Sequence, residues 1–285
     1  MNLLTAQVNL YCQFSIEFVN VSSFISEYNL FVSRHITIEA YFRFFIPYLL
    51  SGYEKVIYLD CDMIADADIA ELIDVDIGDN ILAATRDVDV VNECYKLQET
   101  NDKNYGRNVL RLLKNPYNYF CDGLCVFSIK RFRKTMNLED LFKIAMSSEW
   151  DFHDQDVLNI ATEGKTYFLS WHWGVYNAYH TAFLPENIKS EYEAAVAKPK
   201  IVHFVGIKPW KTTTLLPYSE WFWKYATRTP FIGAIFKRME ISSAVPIRDA
   251  AVLEIINKRL GFRFILRCIV ARLFRSRLAK KIKIT

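Results

Sequence analysis

The sequence has 285 residues, of which 52% are apolar, 15% aromatic and 24% charged, so it can bury a sizeable core and is neither disordered nor collagen-like. Its net charge of +3 is unevenly placed: residues 261–285 carry eight basic side chains and no acidic one, and subtracting these leaves residues 1–260 at −5. The longest apolar stretches, such as Phe42 to Leu50 with Arg43 inside, fall short of the roughly 18–20 residues of a membrane-spanning helix, and the first residues lack the basic, apolar and small-residue regions of a secretory signal.

In chain order, Ser15 to Val21 reads as a short strand and Ile36 to Leu50 as a helix whose last turn is weakened by Pro47. Lys55 to Leu59 (KVIYL) is an apolar run bounded by Ser51-Gly52 and by carboxylates, the pattern of a buried strand that ends in a polar site. Ile81 to Thr85 is a further strand. The polar stretch that follows, through Asn118, suits a substrate-facing loop or a variable surface insertion, and composition does not separate the two. Leu124 to Ile129 reads as a strand, Arg131 to Ser148 as helical and Lys200 to Phe204 as a strand. Strands alternating with helical patterns predict an α/β layered fold around a central sheet. The six cysteines show no CxxC pair or zinc-site spacing and read as reduced thiols.

The chemistry concentrates in two segments. In KVIYLDCD (Lys55 to Asp62) alternation puts Asp60 and Asp62 on one face and Cys61 on the other. Two carboxylates at the mouth of a strand suit Mg²⁺ or Mn²⁺; the competing reading is a solvated turn or a helix cap. In IVHFVGIKPWK (Ile201 to Lys211), His203 is followed by Gly206, which allows close backbone approach, and by Lys208, a compact cation suited to phosphate. Imidazole joined to two carboxylates favours Mn²⁺. Together the segments point to a divalent ion bridging a diphosphate.

These residues, with ITIEAYFRFFIPYLL (Ile36 to Leu50), HDQDVLN (His153 to Asn159) and more loosely NYFCDGLCVFSI (Asn118 to Ile129), resemble glycosyltransferase family 8 over about Ile36 to Trp210. The family includes bacterial lipopolysaccharide galactosyl- and glucosyltransferases and glycogenin. The resemblance implies a GT-A fold, a Rossmann-like mixed sheet flanked by helices, with a C-terminal helical extension. It implies transfer of a hexose from UDP-galactose or UDP-glucose to a saccharide acceptor, with retention of configuration. It assigns Mn²⁺ (or Mg²⁺) to Asp60, Asp62 and His203, diphosphate contact to Gly206 and Lys208, and a place near the donor to Arg43, Cys61, Asp122 and Gly123. Asp154 and Gln155 match the pair at the sugar's reacting face. A neutral amide is a poor nucleophile, which favours front-face attack within an ion pair over a covalent intermediate. The competing reading of HDQD is an acidic helix start.

Two departures from the family stand out. Cys121-Asp122-Gly123 replaces Asn, a small residue and Gly, so a hydrogen bond of the Asn amide is lost or moved to Asp122. Family members begin with a strand and an Asp-rich turn that binds uridine, followed by a helix, and this chain is expected to start after them, near the second strand, so that the start is truncated, another segment supplies the strand, or nucleotide binding is weakened.

The expected domains are 1–215 catalytic, 216–260 a helical extension, and 261–285 a basic amphipathic tail. In the tail, Phe262, Ile265, Leu266, Ile269, Val270, Leu273 and Phe274 recur at the spacing of one apolar helical face. Such a helix suits an anionic bilayer interface, and the alternative is a helix packed on the body. The expected location is cytoplasmic, peripheral on the inner face of the cell membrane, with a lipopolysaccharide or other lipid-linked acceptor. Nucleic acid is not an expected partner, because no nucleic-acid-binding motif accompanies the basic residues. Trp221 to Tyr225 reads as helix core or interface anchor. Two other functions compete: an aspartate-nucleophile phosphatase, which usually follows the second Asp with Gly-Thr where this chain has Met63-Ile64, and a catalytically impaired family member that binds membrane or partner proteins.

Overall fold

Strand pairing carries the architecture. The computed structural model describes residues 16–32, 37–101, 107–212 and 214–242. They fall into two compact units, Ile16–His203 and a second whose described residues begin at Phe204. In the first unit, β1 (Lys55–Leu59), β3 (Leu82–Arg86), β4 (Phe120–Ser128) and β5 (Thr166–Phe168) form a sheet in the order β1-β4-β3-β5. Both neighbours of β4 run antiparallel to it and β5 runs parallel to β3, so the sheet is mixed. A smaller sheet joins β2 (Met63–Ala65), β7 (Ile201–His203) and β6 (Val175–Tyr176) in the order β2-β7-β6.

All nine residues of β4 are buried, because it is central and covered on both faces. Alternation sends Leu82, Ala84, Cys125 and Phe127 into one apolar cluster and Ala83, Leu124 and Val126 into another. The strand begins four residues before the sequence predicts, since Asp122 and Gly123 are poor strand formers that the pairing overrides. β1 is only half-buried, where a buried strand is expected, because no described strand pairs with its outer edge.

The helices differ more from expectation. Ile38–Phe45 is a 3₁₀ helix, followed by one α turn at Ile46–Leu49, in place of a continuous helix. Pro47 lacks the N–H that would bond to the Arg43 carbonyl four residues back, and Ile46 N–H bonds to that carbonyl in 3₁₀ fashion. The expected strand at Ser15–Val21 is absent over its described residues; Ile16–Val21 has no regular structure, and Phe18 and Val19 are exposed. The polar stretch after β3 is largely helical over its described residues, with α1 (Val88–Glu99) and a short helix at Asn108–Leu112. Asp87 caps α1 by accepting from the backbone of Asp89 and Val90, and Val90, Val91 and Cys94 bury its inner face. Further along lie α2 (Ile129–Thr135), α3 (Leu138–Met146), α4 (His153–Ala161) and α5 (Glu186–Ala197).

In the second unit, α6 (Ser219–Ala226) and α7 (Ile232–Ser242) share a small apolar cluster in which Trp223 stacks on Phe236 at 5.5 Å. Trp221 to Tyr225 therefore sits in a helix, with Trp223 as core. Among the described residues, no helix is long and apolar enough to cross a membrane. The tail at 261–285 lies outside the described residues.

Candidate active site

Backbone pairing brings the first three side chains together. Asp60 and Asp62 lie in the turn between β1 and β2, and Met63, the next residue, pairs with His203 across β2 and β7. His203 Nε2 is 3.1 Å from Asp62 Oδ1 and 3.9 Å from Asp60 Oδ2, and one ligand atom from each of the three lies within 4.8 Å of the others. Cys61, between the carboxylates, is exposed, and the group of three does not include it.

Gly123 makes this approach possible. A Cβ on it would lie 2.6 Å from His203 Cε1 and 3.0 Å from Asp60 Oδ2, so the cluster occupies space that any other residue would fill. Its carbonyl also accepts from Asp60 N–H at 2.8 Å. The pairing of β3 with β4 jumps from Ala84↔Cys125 to Thr85↔Cys121, and this bulge leaves Asp122, Gly123 and Leu124 without partners in β3. The freed backbone groups serve the site instead.

Arg43, from the 3₁₀ helix, is the hub. It is buried, with Nη1 2.6 Å from Asp122 Oδ1, Nε 2.7 Å from Asp154 Oδ2 and Nη2 3.1 Å from Asp60 Oδ1. Nη1 also donates to the Asp122 carbonyl, and the guanidinium lies 4.6 Å from the centre of the Tyr58 ring. Burial works against its charge, and Asp122, Asp154 and Asp60 more than offset that penalty. Burial holds the Asp122 carboxyl well above the usual carboxylate range; Arg43 opposes the shift, while Asp154 and Asp60 reinforce it. Three carboxylates surround one guanidinium, and Asp60 and Asp62 bring to the cluster with His203 negative charge that a divalent cation would balance.

Gln155 sits in the first turn of α4 with its amide held in one orientation. Its Oε1 accepts from Asp122 N–H at 3.2 Å, and its Nε2 donates to Asp87 Oδ2 at 3.1 Å and to Tyr119 Oη at 3.2 Å. Tyr119 in turn donates to Asp156. Burial pushes the Asp156 carboxyl up to about 6, partly offset by the hydrogen bonds from Tyr119 and Phe152 N–H. Asn159 clamps α4 to the start of β4 by accepting from Phe120 N–H and donating to the carbonyls of Phe120 and Gln155. HDQD is an acidic helix start, with Asp154 and Asp156 in the first turn of α4, and both carboxylates are buried and bonded within the protein.

Cys121 takes no amide role. Its thiol is buried, is pushed well above its ordinary value by that burial, and lies 3.6 Å from His203 Nδ1. Gly206 and Lys208 belong to the second unit. There Gly206 adopts φ +63°, which favours glycine, and the Lys208 ammonium donates to the Phe204 carbonyl. A separate cavity of about 400 Å³ lies beside Asn118, Asn159, Glu163 and Thr166, whose polar atoms already bond within the protein.

Sequence reasoning missed Asp87, Tyr119 and the part played by Asn159. Asp87 carries a signal, an Asp directly before the apolar spacing Val90, Val91, Cys94, Leu97. Tyr58, which donates to Asp60, also carries one: it stands two residues before Asp60 on the same strand face.

Residues 3–214 match the family model described as glycosyl transferase family 8. General stress protein A of Bacillus subtilis (strain 168) is 31% identical over 227 residues, covering 75% of this chain and 73% of that protein. Lipopolysaccharide 1,2-glucosyltransferase of Escherichia coli (strain K12) is 24% identical over 189 residues, covering 64% of this chain and 52% of that protein. The chain thus spans 73% and 52% of these two relatives. A crystal structure of an active-site mutant of LgtC superposes with a TM-score of 0.58 at 21% identity, over 78% of this chain and 77% of that one. At that identity the likeness speaks for the fold, which is GT-A: a mixed sheet flanked by helices, with further helices towards the C-terminus.

Proposed function

The chain belongs to glycosyl transferase family 8, and we propose that it is a metal-dependent, retaining hexosyltransferase that uses UDP-galactose or UDP-glucose. The observation that carries this is the convergence of Asp60, Asp62 and His203 within 4.8 Å, in a cradle that only a glycine at position 123 leaves open. Two carboxylates and an imidazole fit Mn²⁺, with Mg²⁺ as the alternative. Held there, the ion supplies positive charge to the departing diphosphate.

The protein's own residues do the rest. Arg43 fixes the carboxylates of Asp60, Asp122 and Asp154 in one array, Asp154 holds hydroxyls of the sugar, and Gln155 presents its carbonyl oxygen beside the reacting carbon. Gly206 and Lys208 contact the diphosphate. The bond from the sugar to the diphosphate breaks, the acceptor oxygen bonds to the same face, and its proton passes to the departing phosphate oxygen. Both hydrogens of the Gln155 amide are spent on Asp87 and Tyr119, which supports a positioning amide rather than a nucleophile.

The acceptor in this reading is a saccharide, as in lipopolysaccharide or another lipid-linked glycan. Residues 1–215 form the catalytic part, 216–260 the helical extension, and the tail at 261–285 holds the protein to an anionic membrane on its cytoplasmic face. Family membership removes the aspartate-nucleophile phosphatase. The test is UDP release from UDP-galactose and UDP-glucose with Mn²⁺, for the wild type and Asp62→Asn. We expect Asp62→Asn to lose about 10²-fold or more in rate. A rate indifferent to EDTA would refute the metal dependence.

A further inference from the structure

His153 opens α4 in a backbone conformation that few side chains adopt. It is fully buried and has φ +42°. Of the three described residues other than glycine with positive φ, the remaining two, Asn101 and Tyr218, are exposed or half-exposed. Crowding between Cβ and the following carbonyl disfavours this region, and a residue stays in it where its surroundings over-determine it.

Two aromatic rings do so here. The imidazole stacks on Phe31, with ring centres 5.4 Å apart and planes 11° from parallel, and meets the Tyr41 ring edge to face at 6.3 Å. The Tyr41 hydroxyl donates to the Phe31 carbonyl at 3.0 Å, which ties these two residues to each other. Tyr41 and Arg43 stand two residues apart on the 3₁₀ helix, and Arg43 Nε is 2.7 Å from Asp154 Oδ2. Adjacent residues of α4, His153 and Asp154, are therefore pinned to one short helix, the first by its ring and the second by its charge. The turn leads directly into α4: the Phe152 carbonyl accepts from Gln155 N–H at 2.8 Å, and Phe152 N–H donates to Asp156 Oδ2 at 2.9 Å. Its direction sets where Asp154 and Gln155 point.

We propose that His153 is a positioning residue: gripped between Phe31 and Tyr41, its ring holds the left-handed turn that aims Asp154 and Gln155 at the donor sugar. The inference rests on the hexosyltransferase reading, which gives those two residues the reacting face. Without the grip, α4 keeps its later contacts, such as Asn159 on Phe120, while its first turn loses its fixed direction. A misplacement of about 1 Å near a reacting centre lowers the rate by about 10²-fold. The metal cluster is untouched, because Asp60, Asp62 and His203 lie on other elements.

The test removes the grip from either side. His153→Gly deletes the ring yet leaves a residue that adopts positive φ freely, and Phe31→Ala deletes the ring on which it stacks. With UDP-galactose and UDP-glucose, kcat per folded molecule falls by about 10–10²-fold in His153→Gly and in the same direction in Phe31→Ala, while KM for the donor and Mn²⁺ affinity stay within about threefold of the wild type. Both variants remove one shared contact, so the double variant loses no more than about twofold beyond His153→Gly. Melting gives the folded fraction, and Phe31→Ala, which alters a partly exposed residue, carries the test if His153→Gly does not fold. A merely structural role lowers the melting temperature and leaves kcat unchanged; that result, or losses that multiply in the double variant, would overturn the proposal alone. A wild type that neither binds nor turns over any UDP-hexose would overturn the hexosyltransferase reading and this proposal with it, before any variant is compared.

Discussion

Gly123→Ala adds one methyl group at the centre of the site. The strand backbone at Gly123 accepts alanine, so the effect comes from space alone. The new Cβ would stand 2.6 Å from His203 Cε1, 2.8 Å from Met63 Cε and 3.0 Å from Asp60 Oδ2. Carbon atoms pack at about 3.5–4.0 Å, so the imidazole must retreat by roughly 1 Å. Met63 can swing aside, but Asp60 is held by Tyr58 and Arg43, and β4 is tied to β1 through the Asp60–Gly123 hydrogen bond. Metal–ligand distances tolerate about 0.2 Å, so this displacement breaks the donor set. We expect Mn²⁺ affinity, read by electron paramagnetic resonance titration, to fall by about 10–100-fold or more. Stability in urea should fall by about 1–3 kcal/mol from overpacking. An alanine variant that binds Mn²⁺ as tightly as the wild type would refute the reasoning.

Arg43→Met strands two buried carboxylates, Asp122 and Asp154, and the half-buried Asp60, and should cost about 3–5 kcal/mol in urea denaturation; a loss below about 1 kcal/mol would mean the carboxylates are already neutralised. Asp156 has a raised carboxyl, about 6 against 3.8, so its stabilising effect is full below pH 4 and is lost as pH rises towards and through 6. The loss is about 3 kcal/mol, and urea melts from pH 4 to 7 should show it in the wild type but not in Asp156→Asn; parallel curves would contradict it. Tyr119→Phe removes one of the two acceptors that hold the Gln155 amide, so kcat should fall more than KM changes; an effect on KM alone would place Tyr119 outside the positioning of Gln155. Ending the chain at Leu260 should abolish sedimentation with anionic liposomes, and unchanged sedimentation would reject the tail as the anchor.

Several elements were legible because they depend on near neighbours in the chain. KVIYL needs only its apolar run and flanking turns to read as a strand, and alternation groups Asp60 with Asp62, the pair that the cluster contains. The helix α1 was hidden by composition: its Asp, Asn, Glu, Lys and Gln mask an inner face of Val90, Val91 and Cys94, and the capping Asp87 was the usable signal. The break in the helix around Arg43 was half legible, since Pro47 marks a disruption without revealing that the preceding turns tighten to 3₁₀.

The sequence by itself determined the family, the α/β class and the identities of the groups that gather: two carboxylates, an imidazole, an arginine and an Asp-Gln pair. Tertiary structure decided which of them meet. His203 reaches Asp62 because β7 pairs with β2, across a separation in sequence that no periodicity encodes. Asp122 faces Arg43, and its backbone faces Gln155, because a bulge frees Asp122 to Leu124 from β3. Local patterns report which way a side chain leaves its own backbone, whereas a site is made by strands and helices brought together through long-range pairing, and its charge balance exists only there.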